Sequence, residues 1–378
     1  MLQVPVRLLF ALRPKIPAGV LAATAVSTVV FSATPFLVKA VAVDQEVGVS
    51  TVAVISTAQL AGFMLTAWGA GRVLRPRRRV MVVALLLGLA ANAASALTPW
   101  FSLLVGIRFV SGISLGLISW IAWSEVFGDD EKVGDVAVIG PIVGTVSAPI
   151  IAALIDVSGS DLLFLVLAGL HLLPLPFIRE TRLVAAARTA RQRHRPTRAA
   201  AAILICLGFT TLGGSAVFVF AAVIGQDRVG LSPIVVSLAF SANALAGAPS
   251  ARYRGARPLP GAWMALTGVC GVAIAVATTP VVFWLALPTW GFAFWMGIPG
   301  AYSLLAERSH YPDERAGDAQ AIMAAGRVVG PLLGGALYAW SPVALGVVGG
   351  GVMMLSGAAM VYVEWRIRPG VLGDLVGA

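Results

Sequence analysis

The sequence is short of charge: only 12% of its 378 residues are Asp, Glu, Lys or Arg, about half the share found in soluble domains. That excludes an ordinary soluble fold. Lysine supplies only three of the 27 basic residues, an arginine bias that fits a GC-rich genome. Two cysteines and three histidines leave no material for a disulfide framework or a Cys/His metal set, and Cys206 and Cys270 read as small core residues. No HExxH, GxSxG or paired intramembrane aspartate occurs, which argues against an intramembrane enzyme. No cofactor and no metal are expected.

What the chain has is hydrophobicity, 58% of all residues. A helix needs roughly 20 apolar residues to cross about 30 Å of hydrocarbon, and it satisfies its own backbone on the way. Such segments recur at 16–42, 50–73, 80–98, 102–127, 133–156, 162–178, 200–224, 233–251, 259–278, 280–305, 319–340 and 342–365. Unbroken runs such as VMVVALLLGLAANAASAL at 80–97 exclude the short alternating strands of a transmembrane barrel. The first segment is too long for a leader and reads as a retained span.

The formal charge of +10 follows topology and does not point to a nucleic-acid partner. Of the 27 basic residues, 23 lie in the two tails or in the even-numbered gaps between spans. By the positive-inside rule both termini are cytoplasmic, in a multi-pass protein of the cell membrane. The opposite gaps carry Asp44, Glu46, Asp156, Asp161 and Asp227.

A basic stretch, RETRLVAAARTARQRHRPTRAA at 179–200, divides the chain. We read 1–178 as one six-helix bundle, 179–199 as a cytoplasmic linker, flexible or resting on anionic lipid, and 200–378 as a second bundle. DDEKVGD at 129–135 returns as DERAGD at 313–318, and Arg72 in GRVLRPRRR meets Arg252 in ARYRGAR. Gly140, Gly144, Ala148, Pro149, Ala152 and Ala153 likewise match Gly326, Gly330, Pro331, Gly334 and Gly335. Features at nearly one offset indicate a duplication about an axis along the membrane normal.

GPLLGG at 330–335, RFVSG at 108–112 and the basic loop at 71–79 are similar to motifs of the major facilitator superfamily of secondary transporters. The resemblance covers nearly the whole chain. It implies an all-α membrane fold of twelve helices in two pseudo-symmetric six-helix bundles. Helices 1, 4, 7 and 10 would line a central cavity, with 2, 5, 8 and 11 flanking it and 3, 6, 9 and 12 outside. The glycine and proline pattern of the fifth helix resembles that of an efflux-like branch, although Ala148, Ala152 and Ala153 stand where glycine is usual.

Small residues three and four apart let helix backbones approach, and proline bends a span. Gly112, Gly144, Pro149, Gly330, Pro331, Gly334 and Gly335 are therefore expected at packing faces. Arg108 and Arg327 sit at membrane depth, where a bare charge costs roughly 2.5–3.5 kcal/mol on insertion scales. Each is expected to meet a cavity or a partner. RFVSG resembles the fourth-helix arginine motif of proton-coupled exporters, with Ser111 where glutamine is common. By that resemblance Arg108 and Arg327 approach one central site from opposite halves, where two guanidinium forks suit an anionic head group.

Trp120 and Trp295 are candidate aromatic walls, and Gln59 and Asn243 are candidate polar contacts. Residues 16–38 and 50–71 contain no Asp or Glu, which disfavours a lipophilic cation. His171 falls on an outer span and is expected to make a local hydrogen bond.

The loop between the second and third spans keeps Gly71, Arg72 and Arg75 but lacks the family's aspartate and second glycine. Glu125, Asp135 and Asp318 are candidate counter-charges at a cytoplasmic gate, with Asp135 and Asp318 starting helices and favouring their amino-terminal dipoles. The whole reads as a monomeric secondary transporter that exports a small amphipathic or anionic organic solute, with protons as the coupling ion. Uptake of a similar solute and a non-transporting sensor or scaffold are the alternatives.

Overall fold

The computed structural model describes residues 16–126, 130–180, 194–253 and 256–366, and these contain helices and connections without a strand. The first half contributes α1 (Ala18–Asp44), α2 (Val49–Val73), α3 (Arg78–Leu97), α4 (Phe101–Val126) and α5 (Asp130–Leu170), then a 3₁₀ turn at Leu175–Glu180. The second contributes α6 (Arg198–Asp227), α7 (Pro233–Ala251), α8 (Pro260–Val276), α9 (Pro280–Glu307), α10 (Pro312–Trp340) and α11 (Pro342–Arg366). Ten of these helices are long and apolar enough to cross a membrane, and α8 is a shorter apolar one.

The fifth and sixth expected spans are the two arms of α5. Ser158 and Gly159 leave helical geometry, and Gly159 takes φ +67°, a left-handed conformation that suits glycine. The Asp44 carboxylate accepts from the Ser160 amide at 2.8 Å and so caps the returning arm. That arm ends at Leu170, short of the expected 178, because Pro174 and Pro176 follow.

Five of the six helices in the second half open on a proline, whose missing N–H is of no consequence in the first turn. For this reason α10 begins at Pro312, seven residues before the apolar run at 319. The charged string DERAGD thus lies inside the first turns of α10. In the same way α5 begins at Asp130, so neither Asp135 nor Asp318 starts its helix. Hydropathy locates the membrane-buried length of a helix and misses polar turns that project beyond it.

Contacts in one half have counterparts in the other. α2 packs on α4 as α7 does on α9, α1 on α5 as α6 on α10, and α3 on α5 as α8 on α11. Across the seam α2 meets α10, α5 meets α7, and α1 meets α6, the pattern of two bundles exchanged by a twofold axis.

The two ends of the seam differ. At the end carrying the α1–α2 and α6–α7 connections, one apolar core includes Phe36, Val41 and Val52 of the first half together with Ala216, Phe220, Phe240 and Phe283 of the second. Phe36 and Phe240 pack across the seam with ring centroids 5.1 Å apart, and Lys39 of α1 forms an ion pair with Asp227 of α6. At the other end, where α1 begins and α11 finishes, the apolar clusters are confined to single halves. Ile203, Met264, Leu304 and Met323 belong to the second, Met81, Leu85, Ile118 and Ile121 to the first, as do Val20 and Ala122. Among the described residues, a shared core seals the seam at the first end and none bridges it at the second, which we call the parted end.

Among the described glycines, Gly335 makes the closest approach across the seam: a Cβ there would lie 2.6 Å from the Ser50 carbonyl oxygen. We expect Gly335→Val to prise this end apart. With Cys206 and Cys270 replaced by alanine, a thiol placed at the buried Val52 should react severalfold faster with an impermeant reagent. An unchanged rate would show that the seal does not depend on this approach.

Candidate functional site

Arg108, on α4, is fully buried and points into its own bundle. Its Nη1 donates to Asn92 Oδ1 of α3 at 2.8 Å and its Nη2 to Gln59 Oε1 of α2 at 2.7 Å. The Phe164 ring, on the returning arm of α5, lies 5.2 Å from the guanidinium carbon. α2 and α4 cross in backbone contact here, since a Cβ on Gly112 would sit 2.0 Å from the Gln59 carbonyl oxygen. All these groups belong to the first half. Arg108 and Gln59 are thus brought together as a polar strut within one bundle, and no described contact carries Arg108 to Arg327.

Arg327 has a different setting. It stands near the middle of α10, half-buried, on the side opposite the exposed stripe of Ala325, Val329, Leu332, Leu333 and Ala336. Gly326, Gly330 and Gly334 on one flank press against α6, and Gly335 on the other presses against α2, so Arg327 looks toward the space between the halves. Among the described residues it has no hydrogen bond or ion pair. Its electrostatic neighbour is Tyr302 of α9, whose hydroxyl reaches Met323 Sδ at 3.7 Å, a weak acceptor, with Gln320 also within reach.

Trp295 lies on the same face of α9 as Tyr302 and Gly291, seven and four residues away. It packs against Gly247 of α7 and edge-on to Phe294. Asn243 of α7 donates to the Leu287 carbonyl at 2.6 Å, beside Gly291. Three candidates from the second half, Asn243, Trp295 and Arg327, therefore gather around α9. Trp120 does not join them; it packs on the Met81–Ile118 cluster of the first half. Trp290 is core, buried against Phe218 and Gly271, and Trp123 is exposed on the outside of α4.

The packing residues lie at close contacts. A Cβ on Gly330 would strike Ser215 and one on Gly334 the Ala216 carbonyl, while Gly144 faces Ala244 across the seam. There the Ser241 hydroxyl donates to the Thr145 carbonyl at 2.7 Å. Pro149 and Pro331 sit inside α5 and α10. His171 is buried with Nδ1 2.7 Å from the Leu167 carbonyl oxygen.

Of the charged gate candidates, the side chains of Arg72 and Asp135 lie outside the described residues. Arg75 is exposed, and Glu125 is half-buried near the end of α4. Asp318 pairs with the buried Arg315 at 2.7 Å. Arg315 also binds Glu314 at 2.8 Å and the His194 carbonyl at 2.6 Å, while His194 meets Glu314 through its backbone N–H and its ring and stacks on Tyr311. The DERAGD string therefore fastens the end of the linker to its own half.

Sequence reasoning missed three partners, Asn92, Phe164 and Tyr302, and the pairing of Lys39 with Asp227. Asn92, an amide inside an otherwise apolar run, was the one visible signal. Gln59→Leu would leave a buried guanidinium donor unmet, a loss of about 1.5–3 kcal/mol. We expect it to lower the unfolding temperature of the purified protein by several degrees, while Trp123→Phe leaves it unchanged. Equal stability of the two variants would show that Arg108 does not need this acceptor.

A search of curated proteins finds no match to this sequence. Solved structures do match. A bacterial homolog of the human lysosomal transporter Spinster, inward-facing and occupied, is 12% identical, covering 91% of this chain and 94% of its own, with a TM-score of 0.67. The human organic anion transporter MFSD10 (TETRAN) is 16% identical over 90% of this chain and 97% of its own, with a TM-score of 0.64. An auto-inhibited POT family peptide transporter is 13% identical over 93% and 96%, with a TM-score of 0.73. At such identities the likeness speaks for the fold alone. The family model described as Major Facilitator Superfamily matches residues 18–327, and the chain belongs to that superfamily of membrane transporters.

Proposed function

We propose that the protein is a monomeric secondary transporter of the cell membrane that exports a small amphipathic or anionic organic solute by alternating access. The observation that carries this reading is the asymmetric seam: one core shared by both halves at one end, separate cores at the other. Two rigid bodies joined in that way expose a midpoint site to one side at a time when they rock. Arginine-rich gaps favour a cytoplasmic location for the parted end and both termini, which would leave the midpoint site open to the inside in this conformation.

Protons are the proposed coupling ion. Asp227 is held against Lys39 across the sealed end, both side chains partly exposed. Opening that end separates the pair, so Asp227 is a carboxylate whose partner changes as the halves rock. Charge at membrane depth in the middle of the bundles comes from Arg108 and Arg327 without a carboxylate, which favours an anionic or neutral solute over a cation.

In proteoliposomes, an imposed pH gradient should drive a labelled substrate, drawn from a panel of organic acids, sugars and hydrophobic drugs, against its own gradient. Asp227→Asn should keep solute-for-solute exchange and lose the gradient-driven movement. Flux indifferent to the gradient would remove proton coupling, and absence of flux across the whole panel would remove the transport reading.

A further inference from the structure

We infer that the charge of the solute is read by the second half alone: Arg327 and Tyr302 form a seat for a single carboxylate, and Trp295 receives the apolar body. This rests on the transport reading above and narrows it to one class of substrate, an organic monocarboxylate with an aromatic or aliphatic body.

The two intramembrane arginines are chemically equal and structurally opposite. Arg108 is fully buried with two side-chain acceptors, so a solute would have to break the strut to reach it. Arg327 is half-buried on the inward face of α10 and has no hydrogen-bond or ion-pair partner among the described residues. The acidic residues of the second half among the described residues, Asp227, Glu307, Asp313, Glu314, Asp318 and Glu364, all lie within about two turns of a helix end. No internal carboxylate is therefore placed at the depth of Arg327, and a guanidinium kept there without one presents a vacant fork of donors.

Counting charges and donors sets the class. One guanidinium, with the Tyr302 phenol and the Gln320 amide nearby as neutral groups, balances one negative charge. A carboxylate matches the fork with two parallel hydrogen bonds, whereas a phosphate monoester brings a second charge that nothing here offsets. Trp295 and Tyr302 are two turns apart on one face of α9, roughly 10 Å along the axis at about 1.5 Å per residue. That distance sets the length of the body. Across the seam α1 offers neutral groups, and its Thr24 and Thr28 hydroxyls are committed to their own helix backbone.

The test uses the full-length purified protein and three probes of one shape: 2-naphthoate, the uncharged 2-naphthamide and 2-naphthyl phosphate, with binding measured by calorimetry and by thermal unfolding. Naphthoate should bind and stabilise, at least about tenfold more tightly than the amide, as expected for hydrogen bonds to a charged group, and more tightly than the phosphate. Arg327→Gln should erase the preference for acid over amide, Arg327→Lys should keep it at lower affinity, and Tyr302→Phe should weaken naphthoate while leaving the amide unchanged. Equal binding of acid and amide to the unaltered protein, a preference for the phosphate, no binding of any probe, or an Arg327→Gln variant that still prefers the acid would each overturn the inference. The transport reading is followed separately, by flux across the broader panel. Flux of a neutral or cationic solute with indifference to naphthoate would sink this inference alone, and absence of all flux would sink the reading beneath it.

Discussion

Helices in a hydrocarbon solvent gain nothing by hiding apolar faces from one another, so they hold together where their backbones come close enough for dense packing and local hydrogen bonds. The architecture follows from that constraint. Glycine stands at close backbone approaches between helices: Gly112 on α2, Gly330 and Gly334 on α6, Gly335 on α2 across the seam. Within each half these contacts are extensive, which makes each bundle a rigid body. Between the halves they are concentrated at one end and supplemented by aromatic packing and one ion pair. A pair of bundles with an adherent end and a parted end is the arrangement on which the proposed alternating access rests.

The same solvent makes charge informative. A guanidinium in the membrane persists only with acceptors, water or a ligand. Arg108 has its acceptors in Gln59 and Asn92 and ties α2, α3 and α4 together. Arg327 has none of this kind and borders the space between the halves. Two residues of the same type at similar depth thus divide the work, one holding a bundle together and the other left available.

Much of the fold was legible in the sequence because it follows from one-dimensional quantities. Apolar length located the spans, and the repeated DERAGD and Gly–Pro strings pointed to the duplication. The helix break near Gly159 fell in the expected gap between 156 and 162. What sequence pattern does not carry is azimuth. RFVSG fixes the depth of Arg108 but not the direction in which its side chain points, which depends on Gln59, Asn92 and Phe164 from three other segments. For the same reason the expected meeting of Arg108 and Arg327 at one site has no counterpart among the described contacts. The pairing of Asp318 with Arg315, and of Arg315 with the docked linker at His194, was not legible either, because these groups are brought together only by the fold. Which end of the seam is closed was also invisible, since it depends on contacts between distant segments such as Phe36 with Phe240 and Lys39 with Asp227.

In the proposed cycle the two halves move as rigid bodies about a site that opens to one side at a time. Pulsed electron paramagnetic resonance measures this most directly, with spin-label pairs at Leu97 and Val281 across the sealed end and at Val73 and Tyr311 across the parted end, all exposed positions. Without solute the first pair should be close and the second far apart. During turnover a second population should appear in which the first distance lengthens as the second shortens. Distances that never change, or that lengthen together, would contradict the account.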